Sequence, residues 1–84
     1  MKKVIDILGI REELAELEHD QWAHWTKYMI ENYTAENYVR WKQQIKTPYS
    51  KLTEKEKDKD RKWADKVLHV INETLKKYKR KLTT

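Results

Sequence analysis

The 84-residue sequence predicts a single domain of the all-α class, a compact three-helix bundle with a short helix between two long ones. Three observations support this prediction. The chain has one glycine and one proline, so it contains few residues that end helices. Apolar residues recur three and four positions apart in three separate stretches. A threonine in a capping position precedes the second and the third stretch.

The first predicted helix covers residues 10–32. Its apolar stripe consists of Ile7, Ile10, Leu14, Leu17, Trp22, Trp25, Tyr28 and Met29. Each helical residue advances by about 100°, which places Glu18 and Gln21 between members of this stripe. We therefore expect both polar side chains near the middle of the buried face.

The second predicted helix is short. Thr34 is its predicted N-cap, and the helix continues to about residue 46. Its apolar face carries Tyr38, Trp41 and Ile45. Pro48 ends it, because a residue that precedes proline avoids the α region.

The third predicted helix covers residues 54–80 and begins at a capping-box pattern formed by Thr53 and Glu56. Residues 54–62 are almost all charged, which predicts a solvent-facing first part. The apolar stripe then comprises Trp63, Ala64, Val67, Leu68, Ile71, Leu75 and Tyr78. We expect the basic end of the domain, residues 76–84, to fray.

Asp60 shares the helical phase of this third stripe, so we expect two carboxylates, Glu18 and Asp60, on buried faces. A buried carboxylate requires a charged or hydrogen-bonding partner. One interpretation is a polar network that organises the bundle, in which the partner is Arg40, Arg61, the indole N–H of a tryptophan or a tyrosine hydroxyl. The other is that one or both acids line a ligand pocket.

The pocket interpretation depends on residue types that bind planar anions. Aromatic rings stack on flat ligands, and arginine makes bidentate contacts to phosphate. The candidate ligand-binding residues are Trp22, Trp25, Trp41 and Tyr49 for stacking, with Arg40 and Arg61 for phosphate. The alternative is structural, since nine Trp and Tyr rings can also cover the thin core of a chain in which 39% of residues are charged.

Several classes of function are unfavourable for this composition. Without cysteine there is no disulfide or thiolate metal site. His19 and His24 point about 140° apart on one helix and cannot share a metal, so we expect neither a metal nor another cofactor. Paired carboxylates can perform acid–base catalysis, but a helical bundle of 84 residues offers little cleft and no nucleophile or base motif accompanies these two acids. We therefore expect no enzymatic activity. No apolar run approaches the ~20 residues of a membrane span, so we expect no membrane association and a cytoplasmic location.

Two stretches resemble the ryanodine-receptor (RyR) repeat domain. Residues 18–22 (Glu-His-Asp-Gln-Trp) resemble the His-x-x-Trp opening of that domain. Residues 48–61 are similar to its Pro-Tyr…Leu-x-Glu-x-Glu-Lys-x-x-Asp-Arg signature. The matching positions are His19, Trp22, Pro48, Tyr49, Leu52, Asp60 and Arg61. The family includes channel modules and small free-standing bacterial and bacteriophage proteins, and this chain looks like the free-standing type.

The resemblance implies a mainly helical, non-enzymatic module for ligand sensing or protein contact, with nucleotide-derived ligands. In a bacteriophage such a protein would act in the host cytoplasm, as a sponge for a signalling nucleotide. The chain departs from the family between the two motifs, where a Gly- and Trp-containing stranded insert is usual and residues 26–46 here predict helix. A homo-oligomer would rebuild a pocket from two chains.

Three functional hypotheses follow. The first is a non-catalytic module that binds a small anionic, nucleotide-like ligand. The second is a protein–protein adaptor that docks through exposed aromatic residues. The third is a nucleic-acid-binding protein that uses the basic C-terminal helix, although acids are mixed with the bases outside that segment.

Overall fold

The structure is a computed structural model that describes residues 4–83. It contains three helices in the predicted order: α1 (Arg11–Glu31), α2 (Ala35–Lys46) and α3 (Glu54–Thr83). A short 3₁₀ turn, Tyr49–Lys51, precedes α3. No strand occurs within the described range, and the predicted all-α, three-helix fold is confirmed.

A tight turn fixes the start of α1. The Asp6 carboxylate accepts the N–H of Ile10 at 3.0 Å and that of Arg11 at 3.1 Å. The Gly9 N–H donates to the Asp6 carbonyl at 3.2 Å. Gly9 has a φ of 65°, in the left-handed region that glycine adopts without a steric penalty. The carboxylate thus satisfies two N–H groups at the positive end of the helix dipole.

Threonine hydroxyls cap the other two helices. Thr34 Oγ1 accepts the N–H of Asn37 at 3.0 Å. Thr53 Oγ1 accepts the N–H of Glu56 at 3.2 Å and donates to Glu56 Oε1 at 2.9 Å. Both predicted N-caps are confirmed.

α1 and α3 pack antiparallel. The beginning of α1 at Ile10 lines a cleft with Tyr78 near the end of α3. Further along α1, the ring of His24 lies 5.9 Å from that of Trp63, in the first half of α3. The half-buried side chains along this contact, here called the inner seam, are Leu14, Leu17, Gln21 and Trp25 of α1 and Trp63, Val67, Val70 and Thr74 of α3.

The three-helix arrangement is elongated, with a thin core. Its dimensions are 59 × 29 × 27 Å and its radius of gyration is 17.4 Å. A compact domain of this length has a radius of gyration of about 12 Å. Among the described residues only Ile10, at 7% exposure, is buried. Most of the inner seam therefore remains partly in contact with water.

The expectation that Glu18 and Asp60 are buried is wrong, because both are exposed. Gln21, from the same pattern, is half-buried on the inner seam. A single neighbouring helix covers only a narrow line of contact, and residues that lie about 60° from that line stay in water. The buried polar network expected around these acids is therefore not formed.

α3 is a strongly charged helix, with eleven basic and six acidic residues. It remains helical to Thr83, through most of the basic segment 76–84, whose last position lies outside the described residues. Within the segment, Lys76 Nζ pairs with Glu73 Oε1 at 3.2 Å. Over residues 4–83 no helix is both long enough and apolar enough to cross a membrane.

Replacing Thr53 by alanine removes the acceptor for the Glu56 N–H. We expect a loss of about 1 kcal/mol in the free energy of unfolding, or ~4–8 °C in melting temperature for a domain of this size. Thermal unfolding followed by circular dichroism measures the change. Thr53→Ser, which keeps the hydroxyl, is the matched control and should remain close to the wild type.

The same pair predicts a dependence on pH. The hydrogen bond from Thr53 lowers the pKa of Glu56 below its usual 4.5. A lowered pKa stabilises the fold above the usual value, and this stabilisation is lost as the pH falls through the lowered pKa. The difference in melting temperature between wild type and Thr53→Ala should therefore shrink below about pH 4.5. A difference that grows on acidification would contradict this assignment.

Candidate functional site

The candidate site is a solvent-open cavity of about 460 Å³ where the end of α1, the middle of α2 and the beginning of α3 meet. Cavities that bind small molecules usually measure ~300–1,000 Å³. Its walls combine three aromatic rings (Trp25, Tyr28 and Trp41) with three cations (Arg40, Lys55 and Lys59). The remaining lining is Gln44, Leu52, Thr53, Glu56 and Asp60.

A continuous chain of rings builds the aromatic wall and links all three helices. From α3 it passes from Trp63 to His24, with centroids 5.9 Å apart, and then to Trp25 at 5.4 Å. Trp25 contacts Tyr28 edge-on at 6.1 Å, and Tyr28 contacts Trp41 of α2 at 6.4 Å. Such edge contacts fix the rings relative to one another.

The charges in the cavity sum to one net positive charge. Arg40, Lys55 and Lys59 supply the cations, and Lys59 Nζ lies 5.9 Å from the centroid of the Trp25 ring. Glu56 and Asp60 supply the acids. Hydrogen bonds from Thr53 and Gln44 lower the pKa of Glu56, so this carboxylate is ionised at neutral pH.

A hydrogen bond between Gln44 and Glu56 connects α2 to α3. Gln44 Nε2 donates to Glu56 Oε2 at 2.9 Å in a partly buried position. Arg40 and Trp41 precede Gln44 by one turn of α2, so the same contact places their side chains at the cavity.

Three of the six predicted ligand-binding residues meet in this cavity: Trp25, Arg40 and Trp41. Leu52 and Asp60, two of the positions at which the sequence resembles the RyR signature, also line it. These five come from three separate segments, and the three-helix junction is what brings them together.

Trp22 and Tyr49 lie elsewhere. Trp22 is 63% exposed and stacks on His19, with ring centroids 5.8 Å apart. Tyr49 lies on the 3₁₀ turn after Pro48, where Lys57 Nζ is 5.5 Å from its ring centroid. Neither ring lines the cavity.

Arg61 is paired with acids on its own helix. Its Nη1 lies 2.8 Å from Glu54 Oε2 and 2.8 Å from Asp58 Oδ1. Hydrogen bonds to these two carboxylates raise the pKa of Arg61 above its ordinary value. Arg61 does not line the cavity, and it contacts no aromatic ring of the cavity wall.

Sequence reasoning did not select six residues that line the cavity: Tyr28, Gln44, Thr53, Lys55, Glu56 and Lys59. A signal for Lys55 and Lys59 was present, because they lie eight and four positions before Trp63, on the side of α3 where α1 packs. Gln44 lacked such a signal, since its partner is twelve residues away.

Within the described part of the chain, no group of three acidic or histidine side chains converges as a metal site would require. His19 and His24 instead contact tryptophan rings. The groups in the cavity are suited to binding a flat, negatively charged molecule.

Comparison with known proteins yields no relative. No family model matches the chain, and no curated protein or solved structure is significantly similar to it.

Replacing Gln44 by alanine removes the hydrogen bond that joins α2 to α3. We expect a loss of about 1 kcal/mol in stability, the usual value for one hydrogen bond. Urea unfolding measures it, and Gln43→Ala is the matched control on the same helix. Equal effects of the two substitutions would show that the Gln44–Glu56 contact does not hold α2 in place.

Proposed function

We propose that this protein is a non-catalytic binding module for a small, planar, anionic ligand of the nucleotide type, held in the three-helix cavity. The observation that carries the proposal is the convergence of Trp25, Trp41 and Arg40 in a cavity large enough for such a ligand.

The two halves of a nucleotide require different surfaces, and the cavity offers both. A nucleobase stacks on an aromatic face, where each stacked base typically gains ~1–3 kcal/mol. A phosphate binds arginine through two parallel hydrogen bonds and lysine through its point charge. Arg40, Lys55 and Lys59 provide these cations beside the Trp25 and Trp41 rings.

The acids of the cavity also have a place in this proposal. A carboxylate accepts hydrogen bonds from a ribose hydroxyl or from an exocyclic amine of a base. Asp60 lines the cavity and is exposed to an entering ligand. A carboxylate in this position favours a nucleotide over inorganic phosphate, which has no such donors.

The resemblance of residues 18–22 and 48–61 to the RyR repeat domain supports the same ligand class, with a sponge for a signalling nucleotide as one form that the function would take. It also makes a different prediction about residues, because Arg61 is part of that signature and Arg40 is not. The two arginines therefore distinguish the cavity from the signature as the origin of binding.

The first test is thermal unfolding of the purified chain with mononucleotides, cyclic mono- and dinucleotides, ADP-ribose and inorganic phosphate. A ligand at 100 times its Kd adds about 2.7 kcal/mol of stability, which raises the melting temperature by several degrees. A shift with one nucleotide that persists at 0.3 M salt supports the proposal. A shift only with added duplex DNA that fades with salt would assign the function to the phosphate backbone of DNA.

The second test compares Arg40→Ala with Arg61→Ala by titration calorimetry with the nucleotide found. Loss of a charge-assisted, bidentate contact should weaken binding roughly 10- to 100-fold in Arg40→Ala. Arg61→Ala should bind as the wild type does, with circular dichroism confirming that both variants keep their helices. The reverse result would place the ligand at the signature residues and exclude the cavity.

A further inference from the structure

The chain exposes much more surface than a folded monomer of its mass. Its accessible surface is 7906 Å² for 10.4 kDa. Monomeric proteins of this mass expose about 5,400 Å². The excess, about 2,500 Å², falls at the upper end of the ~1,000–2,500 Å² that each subunit buries in an obligate homodimer.

Five of the sixteen large apolar side chains that are exposed among residues 4–83 lie on one side of the α1–α3 pair. The positions follow members of the inner seam by one residue at Ala15, Trp22, Leu68 and Leu75, and the same seven-residue repeat continues to Met29 and Leu82. We call this surface the outer face, and it comprises Ala15, Trp22 and Met29 of α1 and Leu68, Leu75 and Leu82 of α3. Leu68 is 53% exposed and Leu75 is 49% exposed.

Both halves of the outer face lie on the same side of the hairpin. From one residue to the next, the direction of the side chain turns by about 100° about the helix axis, in the same sense along the chain in both helices. Two antiparallel helices are related by a twofold axis perpendicular to their common plane, so equal rotations bring both sets to the same side. A repeat of seven is the spacing with which helices pack against further helices.

We propose that the outer face binds the outer face of a second copy of this chain, so that two α1–α3 hairpins form a four-helix bundle. The surface excess of the whole chain lies within the range of areas that each subunit of an obligate dimer buries. The proposal does not depend on the nucleotide site, since the outer-face residues do not line that cavity.

The charges of the two helices favour one orientation of such a dimer. α1 carries six acids and two bases, whereas α3 carries six acids and eleven bases. If α1 packed on the partner's α1, α3 would pack on the partner's α3, and helices of like net charge would repel each other at both contacts. A twofold axis parallel to the helices instead places α1 on the partner's α3, which pairs an acidic helix with a basic one.

The mass of the full chain in solution tests the proposal directly. Sedimentation equilibrium should give twice 10.4 kDa at micromolar concentration, and the melting temperature should rise with protein concentration, as it does when folding and association are coupled. A mass of one chain at all concentrations, with an invariant melting temperature, would overturn it.

Leu75→Glu places a charge in the middle of the outer face and should raise the dissociation constant of the dimer at least 100-fold. Ile45→Glu is the matched control, because Ile45 is an apolar residue of α2 that is 85% exposed and lies outside the outer face. A dimer that survives Leu75→Glu, or that Ile45→Glu dissociates, would show that another surface mediates association.

Disulfide cross-linking tests the orientation, and the chain has no native cysteine to interfere. The proximity of His24 to Trp63 sets the register, in which Ala15 lies level with Asn72, an exposed residue. A mixture of Ala15→Cys and Asn72→Cys chains should cross-link on oxidation, whereas each variant alone should not. Cross-linking of either variant with itself, or none in the mixture, would exclude α1 on the partner's α3.

Discussion

The antiparallel seam between α1 and α3 brings together residues that are 35 to 70 positions apart in the chain, and the rest of the fold depends on it. At one end of the seam, His24 and Trp63 begin the chain of rings that reaches Trp41 and so fixes α2. At the other end, Ile10 is buried near the last turns of α3. A change that separates the two helices would therefore remove the cavity without altering any residue that lines it.

Because the contact between α1 and α3 is narrow, hydrogen bonds and ion pairs within each helix also contribute to its stability. Asp6, Thr34 and Thr53 satisfy N–H groups at the three helix starts. Lys57 and Arg61 pair with Glu54 within the first turns of α3, but the Glu54 side chain is 73% exposed, and ion pairs with an exposed partner contribute little energy. Local capping determines where each helix begins, whereas packing determines how the helices are arranged. The packing depends on burial of apolar side chains, of which this chain has few, and the capping does not.

This division explains what the sequence could predict. The helix bounds could be predicted from the sequence, because Thr34 and Thr53 cap and Pro48 ends a helix through contacts with neighbouring residues. Residue type selected Trp25, Trp41 and Arg40, which the fold brings to one cavity, but it also selected Trp22, Tyr49 and Arg61, which do not line that cavity. The exposure of Glu18 and Asp60 was not accessible, because a repeating pattern shows which residues share a stripe but not how much of it a partner covers. The Gln44–Glu56 contact depends on the angle between α2 and α3, which no local rule sets.

The distribution of the tryptophans has an optical consequence. Trp22 lies on the outer face and is 63% exposed, whereas Trp25 and Trp41 are half-buried in the cavity wall. A water-soluble quencher such as acrylamide should therefore reach the indole of Trp22 first. Protection of that most accessible fraction would report on the outer face. A change in the remaining emission, from Trp25, Trp41 and Trp63, would report on the cavity wall and the adjoining seam. The native chain thus carries separate fluorescent reporters for its two surfaces, without any added label.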